Sequence, residues 1–404
     1  MRKVLIISYY WPPSGGGGVQ RWAKMSKYFK QFSWEPIVYV PENPDYPIID
    51  HSFDQDVQDV RVLKGSIIEP SRILRKLGAS KEANLNSGFV SDNKSWKQQV
   101  AIAIRGNFFI PDARKLWISP SVKTLSKWLK NNKVDAVVST GPPHSCHMIA
   151  LALKKKFGLP WISDFRDPWT NIDFYDDLHL SSFADNQHRK KEKEVLTTAD
   201  VVVSVGKTLC EELKGLGAKK TALITNGYDV LQEAEVLDKK FSLLHIGRLG
   251  KSRNPKTLWK VLSEMCKEDK VFLQSCKVNL VGNVDGEVKE SIKKEGLENI
   301  VEFVENVSNV DSLNMQKSSQ LLLLLINDTP NAKGILTGKF FEYLSTKRPI
   351  VSIGPQDGDA AEILEKSGAG ETFSFTQEKE LKTHLVEQVS RYNKGGLKIG
   401  STNI

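Results

Sequence analysis

Cysteine is scarce in this chain of 404 residues. The four present (Cys146, Cys210, Cys266, Cys276) include no close pair and no zinc-ligand spacing. That excludes a disulfide framework and fits a reducing, cytoplasmic setting. No apolar run approaches the ~18 residues a membrane span needs. The N-terminus starts basic and carries a short apolar run, but no small-residue cleavage site follows. Residues 4–8 therefore read as a buried strand and not as a signal peptide. Internal repeats and low-complexity tracts are also missing. The net charge is +9, yet no nucleic-acid reader motif is present, so nucleic acid is not expected as a partner.

What the chain does have is an alternation of short apolar runs and amphipathic stretches. Buried strands are expected at 4–8, 36–40, 136–140, 161–163 and 201–205, each rich in β-branched or aromatic residues. In 18–32, Val19, Trp22, Met25, Phe29 and Phe32 recur at helical spacing, with Arg21, Lys24, Lys27 and Lys30 assigned to the other face. A second helix is expected over 119–132. After Asn226-Gly227-Tyr228-Asp229 a linker-like stretch over 230–240 precedes a second cycle. Its strands are expected at 242–246, 277–281, 301–304, 321–325 and 350–353, with helices at 255–268 and 338–346. Length and pattern together imply two doubly wound α/β domains with parallel sheets covered on both faces. The expected divisions are 1–230, 231–385 and a C-terminal helix or tail, 386–404, returning to the first domain. Ligands of such sheets bind beyond the carboxyl ends of the strands, and two such domains facing each other would enclose a cleft.

Charge is uneven. Residues 61–160 carry 18 basic and 5 acidic side chains, which suits an anionic partner such as an acidic membrane surface or a phosphorylated substrate. Within this stretch 96–109 mixes apolar and basic residues and offers two readings, an interfacial helix or a packed insertion.

Two segments carry chemistry. Gly15-Gly16-Gly17-Gly18 lies between the first strand and its helix, where absent Cβ atoms and a helix N-terminus let a substrate approach the backbone. No Gly-Lys-Ser/Thr follows and no acidic residue ends the next strand, so neither the P-loop nor the dinucleotide fingerprint applies. In the second half, Thr337 and Gly338 open a helix whose free amides suit a diphosphate, with Lys339 adding a full charge and Glu342 a ribose-binding carboxylate. Arg248 and Arg253 leave the first strand of that half, and guanidinium groups bind phosphate bidentately.

These residues resemble the GT-B glycosyltransferases, specifically the retaining family 4-like group of bacterial cell-surface polysaccharide type. The resemblance rests on Tyr10-Trp11-Pro12-Pro13 with the glycine loop, Ile110-Pro111-Asp112-Ala113 with Trp117, and Thr140-Gly141-Pro142-Pro143-His144. It continues through Asp164-Phe165-Arg166-Asp167-Pro168-Trp169, Asn226-Gly227-Tyr228-Asp229, Gly247-Arg248, Val281-Gly282 and Lys339-Phe340-Phe341-Glu342-Tyr343. It implies two Rossmann-like domains and sugar transfer from a nucleotide sugar to a glycan or lipid-linked acceptor, with retention, no metal and no other cofactor. With the basic stretch 61–160, a cytoplasmic enzyme peripheral on the inner face of the cell membrane is expected. Arg248, Arg253, Thr337, Gly338 and Lys339 would hold the diphosphate, Glu342 the ribose and Val304 the base. Gly16 and Gly17 would lie near the donor phosphate or the acceptor.

Two departures from the family pattern matter. The first of its usual two glutamates falls on Gly334, which has no side chain. Where many relatives have a histidine after the fourth strand, this chain has Asp164, Arg166 and Asp167. The sugar-facing role is therefore assigned to Asp164, Arg166 and His144. A nucleotide-sugar epimerase on the same architecture and a non-catalytic nucleotide-sugar binder are the alternatives.

Overall fold

A computed structural model of the chain describes residues 1–46, 48–69, 96–229, 236–395 and 397. It divides into two compact units, Met1–Thr225 and Asn226–Ile404. The first holds a seven-stranded parallel sheet of β1 (Arg2–Ile7), β2 (Trp34–Pro41), β3 (Arg61–Gly65), β4 (Ala136–Gly141), β5 (Trp161–Phe165), β6 (Val201–Ser204) and β7 (Thr221–Leu223). Their order is β3-β2-β1-β4-β5-β6-β7. The second holds β8 (Phe241–Ile246), β9 (Cys276–Val281), β10 (Val301–Val304), β11 (Leu321–Leu325), β12 (Ile350–Ile353) and β13 (Gly370–Phe373), in the order β10-β9-β8-β11-β12-β13. In both sheets the winding direction reverses after the third strand in sequence, between β1 and β4 and between β8 and β11. Those are the switch points beyond which ligands bind.

The central strands are buried on both faces, as a covered parallel sheet requires. In β11 all five leucines are buried. One core of the first unit packs Leu5, Ile7, Trp117, Trp161 and Phe165, and one core of the second packs Leu243, Trp259, Leu262 and Leu323.

All ten expected strands form. The three unexpected ones, β3, β7 and β13, are all edge strands. Edge positions leave half of each strand polar or exposed (Arg61 and Lys64, Leu223, Glu371), so the apolar signal is weak. The helix expected over 18–32 runs as α-helix over Gly17–Tyr28 and tightens to a 3-10 turn over Phe29–Phe32. Its Arg21 is buried, not on the polar face assigned to it. The helix Lys115–Leu129 begins before the expected 119 and contains Pro120. Residues 96–109 form the helix Trp96–Phe108, on which Ile104 and Phe108 are exposed. Residues 70–95, within the basic stretch 61–160, lie outside the described residues, as do 230–235 of the expected linker. The expected boundary at 385/386 falls inside the helix Glu378–Asn393, which packs on Lys256–Glu268. Leu381, Leu385 and Leu397 join the core of the second unit, so over its described residues the expected tail is part of that unit.

Candidate functional site

The glycine turn caps the helix that succeeds β1. Gly16 sits at φ +92, a left-handed conformation that glycine adopts without strain, and is the N-cap of Gly17–Tyr28. Among the described residues no side chain caps that helix, so its N-terminal amides keep their partial positive charge for a ligand. A Cβ on Gly17 would meet nothing within 4 Å, whereas one on Gly18 would lie 2.9 Å from Nη1 of Arg166 and 3.0 Å from the Tyr10 ring. Gly16 and Gly17 are thus the open face of the turn, and Gly18 is where Arg166 and Tyr10 press against it.

Arg166 stands just past the end of β5. Its amide donates to the Gly141 carbonyl at 3.0 Å, and its guanidinium donates to the Pro142 carbonyl. Its Nε is buried and has no partner among the described residues. Asp164, two residues earlier, plays a different part. Its carboxylate takes Arg21 Nε at 3.2 Å and Nη2 at 3.0 Å, Trp22 Nε1 at 2.6 Å and Thr140 Oγ1 at 2.9 Å. The Asp164 side chain is 0% exposed. A carboxylate so occupied holds β4, β5 and the glycine-turn helix together and has no access to a sugar.

His144 and His147 lie in the strand-end loop and first turn after β4. His144 stacks flat on Trp169 (4.5 Å, 2°), and His147 stacks on Phe165 (4.5 Å, 18°). Trp161 Nε1 donates to Ser139 Oγ at 2.9 Å, leaving the Ser139 hydroxyl proton for Nδ1 of His147 at 2.8 Å. His147 is then neutral with its proton on Nε2. Burial holds its pKa down to about 3. Burial, then the neighbouring His147, His188 and Arg166, hold His144 well below the usual histidine range. Trp169 Nε1 donates to Nδ1 of His188 at 3.1 Å, so His188 carries its proton on Nε2, facing the Gly106 carbonyl at 3.3 Å. His144 Nδ1 and His147 Nε2 are buried without partners among the described residues. A neutral imidazole of this kind can exchange a hydrogen bond with a hydroxyl; it is not a cation.

In the second unit the groups gather where β8 and β11 end. Gly247 succeeds β8 at φ +124, and the Lys339 chain passes over it, with Cε 3.6 Å from where a Cβ would stand. The Tyr343 hydroxyl accepts the Ile246 amide at 3.0 Å, fixing the helix Gly338–Ser345 to the end of β8. Arg253 Nε donates to Asn327 Oδ1 at 2.7 Å and its Nη1 to the Arg248 carbonyl at 3.3 Å, lacing the loop after β8 to the end of β11. Thr337 is the N-cap of Gly338–Ser345 and makes no side-chain cap, so the first amides of that helix carry positive character beside Lys339. Glu342, one turn on, accepts from Gln316 Nε2 at 3.1 Å and lies 4.0 Å from Lys339 Nζ. Gly282 succeeds β9 at φ +114, and a Cβ there would stand 2.7 Å from the Gly247 carbonyl oxygen. Its amide donates to Val304 at the end of β10, which places Val304 two strands from β8.

So Arg248, Arg253, Val304, Thr337, Gly338, Lys339 and Glu342 share one sheet end of the second unit. Gly16, Gly17, Arg166 and His144 share one sheet end of the first. Gly334 closes the short turn Ala332–Gly334, whose Lys333 pairs with Asp357. Arg21, Trp22, Asn327, Gln316 and His245 were not singled out from the sequence. His245 Nδ1 donates to the Leu323 carbonyl at 3.1 Å, and burial and the nearby Arg253 bring its pKa down to about 4. A histidine within an apolar strand was the one available signal for it.

Residues 86–231 match the family model of Glycosyltransferase Family 4. No curated protein sequence gives a significant match. Among solved structures, sucrose-phosphate synthase from Thermosynechococcus elongatus is similar at 13% identity and TM-score 0.60, covering 98% of this chain and 90% of that one. TarM is similar at 11% identity and TM-score 0.63, covering 97% and 92%. A mutant of S. aureus TarM is described in complex with Fondaparinux, alpha-GlcNAc-glycerol and UDP. WaaG, a glycosyltransferase involved in lipopolysaccharide biosynthesis, is similar at 11% identity and TM-score 0.55, covering 96% and 89%. At such identities these structures show the fold alone, and the family match covers less than half of the chain. What this chain shares with them is two doubly wound α/β units, with a likeness to Glycosyltransferase Family 4 over residues 86–231.

Proposed function

We propose that the second unit binds the nucleotide and the first unit the acceptor, and that the sugar moves with retention and without metal. Arg248, Arg253 and Lys339 take the diphosphate together with the amides at Thr337 and Gly338. Glu342 binds the ribose and Val304 borders the base. As the glycosidic bond breaks, charge grows on the leaving diphosphate, and preplaced cations and amides stabilise that growth more than they stabilise the bound donor. In the first unit the open turn at Gly16 and Gly17, Arg166 and neutral His144 face the sugar or acceptor. Asp164 serves by holding Arg166 in place.

The observation that carries this reading is the convergence at the end of β8: Lys339 over Gly247, Arg253 held by Asn327, and an uncapped helix fixed there by Tyr343. The acceptor proposed is a glycan or lipid-linked glycan, met by a cytoplasmic enzyme at the inner membrane face. The exposed Ile104 and Phe108 and the basic excess of 61–160 support contact with an anionic surface. Among the described residues no helix is long and apolar enough to cross a membrane.

A thermal-shift screen with UDP, GDP, ADP, CMP and dTDP, followed by assay of donor hydrolysis, tests the reading, because a ligand of the native state alone raises apparent stability. One stabilising diphosphate, whose nucleotide sugar then turns over, is expected. No binding of any of them and no release from any donor would refute it. The epimerase alternative is not favoured, since the family matched is one of sugar transfer.

A further inference from the structure

Behind the groups around Arg166 lies one buried guanidinium, that of Arg21, bonded to Asp164. Arg21 lies in the second turn of Gly17–Tyr28, on the helix the glycine turn opens. It meets Asp164 through Nε and Nη2, donates from Nη2 to the Ile224 carbonyl at 2.8 Å and from Nη1 to the Thr225 carbonyl at 3.1 Å. The Arg21 side chain is 2% exposed. Ile224 and Thr225 lie beyond the end of β7 and are the last residues of the first unit. Asp164 in turn takes Trp22 and Thr140. One side chain therefore joins the glycine-turn helix, the end of β5 and the point where the chain leaves the first unit.

A buried ion pair is a poor way to gain stability, because the cost of desolvating both charges is close to what their attraction returns. It is a good way to fix geometry: the guanidinium is planar and its donors point along set directions. Here those directions lead to one carboxylate and to two successive carbonyls. Two residues beyond Asp164, on the same strand end, Arg166 presses against Gly18.

We propose that Arg21 is a positioning residue for sugar transfer, setting Arg166 and the glycine turn relative to the 224–225 exit of the first unit. The inference rests on the transferase reading above and deepens it. It requires that loss of Arg21 slow turnover in molecules that still fold and still bind the nucleotide through the second unit. Arg21→Lys keeps the charge but cannot serve a carboxylate and two carbonyls at once. The double variant Arg21→Met with Asp164→Leu removes the pair and leaves no uncompensated buried charge.

Turnover of the parent protein is established first, so its absence counts against the transferase reading and not against Arg21. For each variant, kcat is measured per folded molecule, with the folded fraction taken from unfolding curves, and diphosphate affinity is measured by calorimetry. The expected result is a kcat lower by about tenfold to 100-fold, the scale of a misplaced catalytic group, with diphosphate Kd within about threefold of the parent. The double variant is expected to recover stability over Asp164→Leu alone without recovering kcat. A parent-like kcat per folded molecule in either variant would overturn the proposal, as would a loss of turnover that only tracks the folded fraction.

Discussion

Acidification should weaken the first unit through His147. Burial lowers the pKa of this residue from the ordinary 6.5 to about 3. Between those values the unfolded chain takes up a proton that the folded unit refuses. Stability is therefore full above the unfolded value, falls as the pH drops below it, and levels off only near the folded value. Each pH unit inside the window costs about 1.4 kcal/mol, so at about pH 5 the loss from His147 is about 2 kcal/mol. His144, shifted in the same direction, adds to it. His147→Gln keeps a hydrogen-bonding group toward Ser139, gives up the stack on Phe165, and removes the titration. The assay is urea unfolding followed by tryptophan fluorescence at a series of pH values. Of nine tryptophans, Trp259 is the one in the second unit, so the signal reports the first. The parent should lose stability faster than the variant on going from about pH 7 to about pH 5, by about 2 kcal/mol in all. Parallel curves would refute the tautomer and burial argument for His147.

Three further outcomes are expected. Lys339→Ala should weaken nucleoside diphosphate binding by roughly 10- to 100-fold, the effect of losing a charge-assisted hydrogen bond of about 1.5–3 kcal/mol, with no change in unfolding midpoint; calorimetry with the diphosphate selected by thermal shift checks it. Gly16→Ala should cost about 1–2 kcal/mol of stability because its φ of +92 strains an L residue, whereas Gly17→Ala, facing open space, should be near neutral; paired unfolding curves decide. Asp164→Asn should destabilise the first unit by about 3–5 kcal/mol, since it leaves the Arg21 cation buried without its counter-charge, and urea unfolding measures the loss.

The sheets were legible because parallel strands covered on both faces must be apolar at every position. Residues 321–325 can hardly be anything else. β3, β7 and β13 escaped notice for the converse reason: near an edge, one side of a strand needs no apolar residue, and Arg61, Lys64 and Glu371 erase the pattern. The gathering at one sheet end of the second unit was legible too, because glycines, a lysine and arginines at strand ends have few packing reasons to be there. What periodicity could not supply was the partner of each group. Asn327 beneath Arg253 and Tyr343 beneath Ile246 lie 74 and 97 residues away in sequence, and nothing local marks either.

Arg21 and Asp164 show where reading charge from sequence fails. On a helical wheel an arginine beside Lys24 and Lys27 joins the solvated face, and a carboxylate at a strand end joins the substrate. Both inferences assume that a charge stays near water or a ligand unless something compensates its burial. Here each charge compensates the other, across 143 residues of sequence, and the two remaining directions of the guanidinium are met by backbone carbonyls. The pattern of one helix cannot reveal this, because the compensating group arrives with the fold. In the function proposed above Asp164 therefore acts through Arg166, two residues on, and not on the sugar. In the function proposed above the contact with substrate falls to groups whose polar atoms are buried yet lack partners among the described residues, which near this strand end include Nε of Arg166, Nδ1 of His144 and Nε2 of His147.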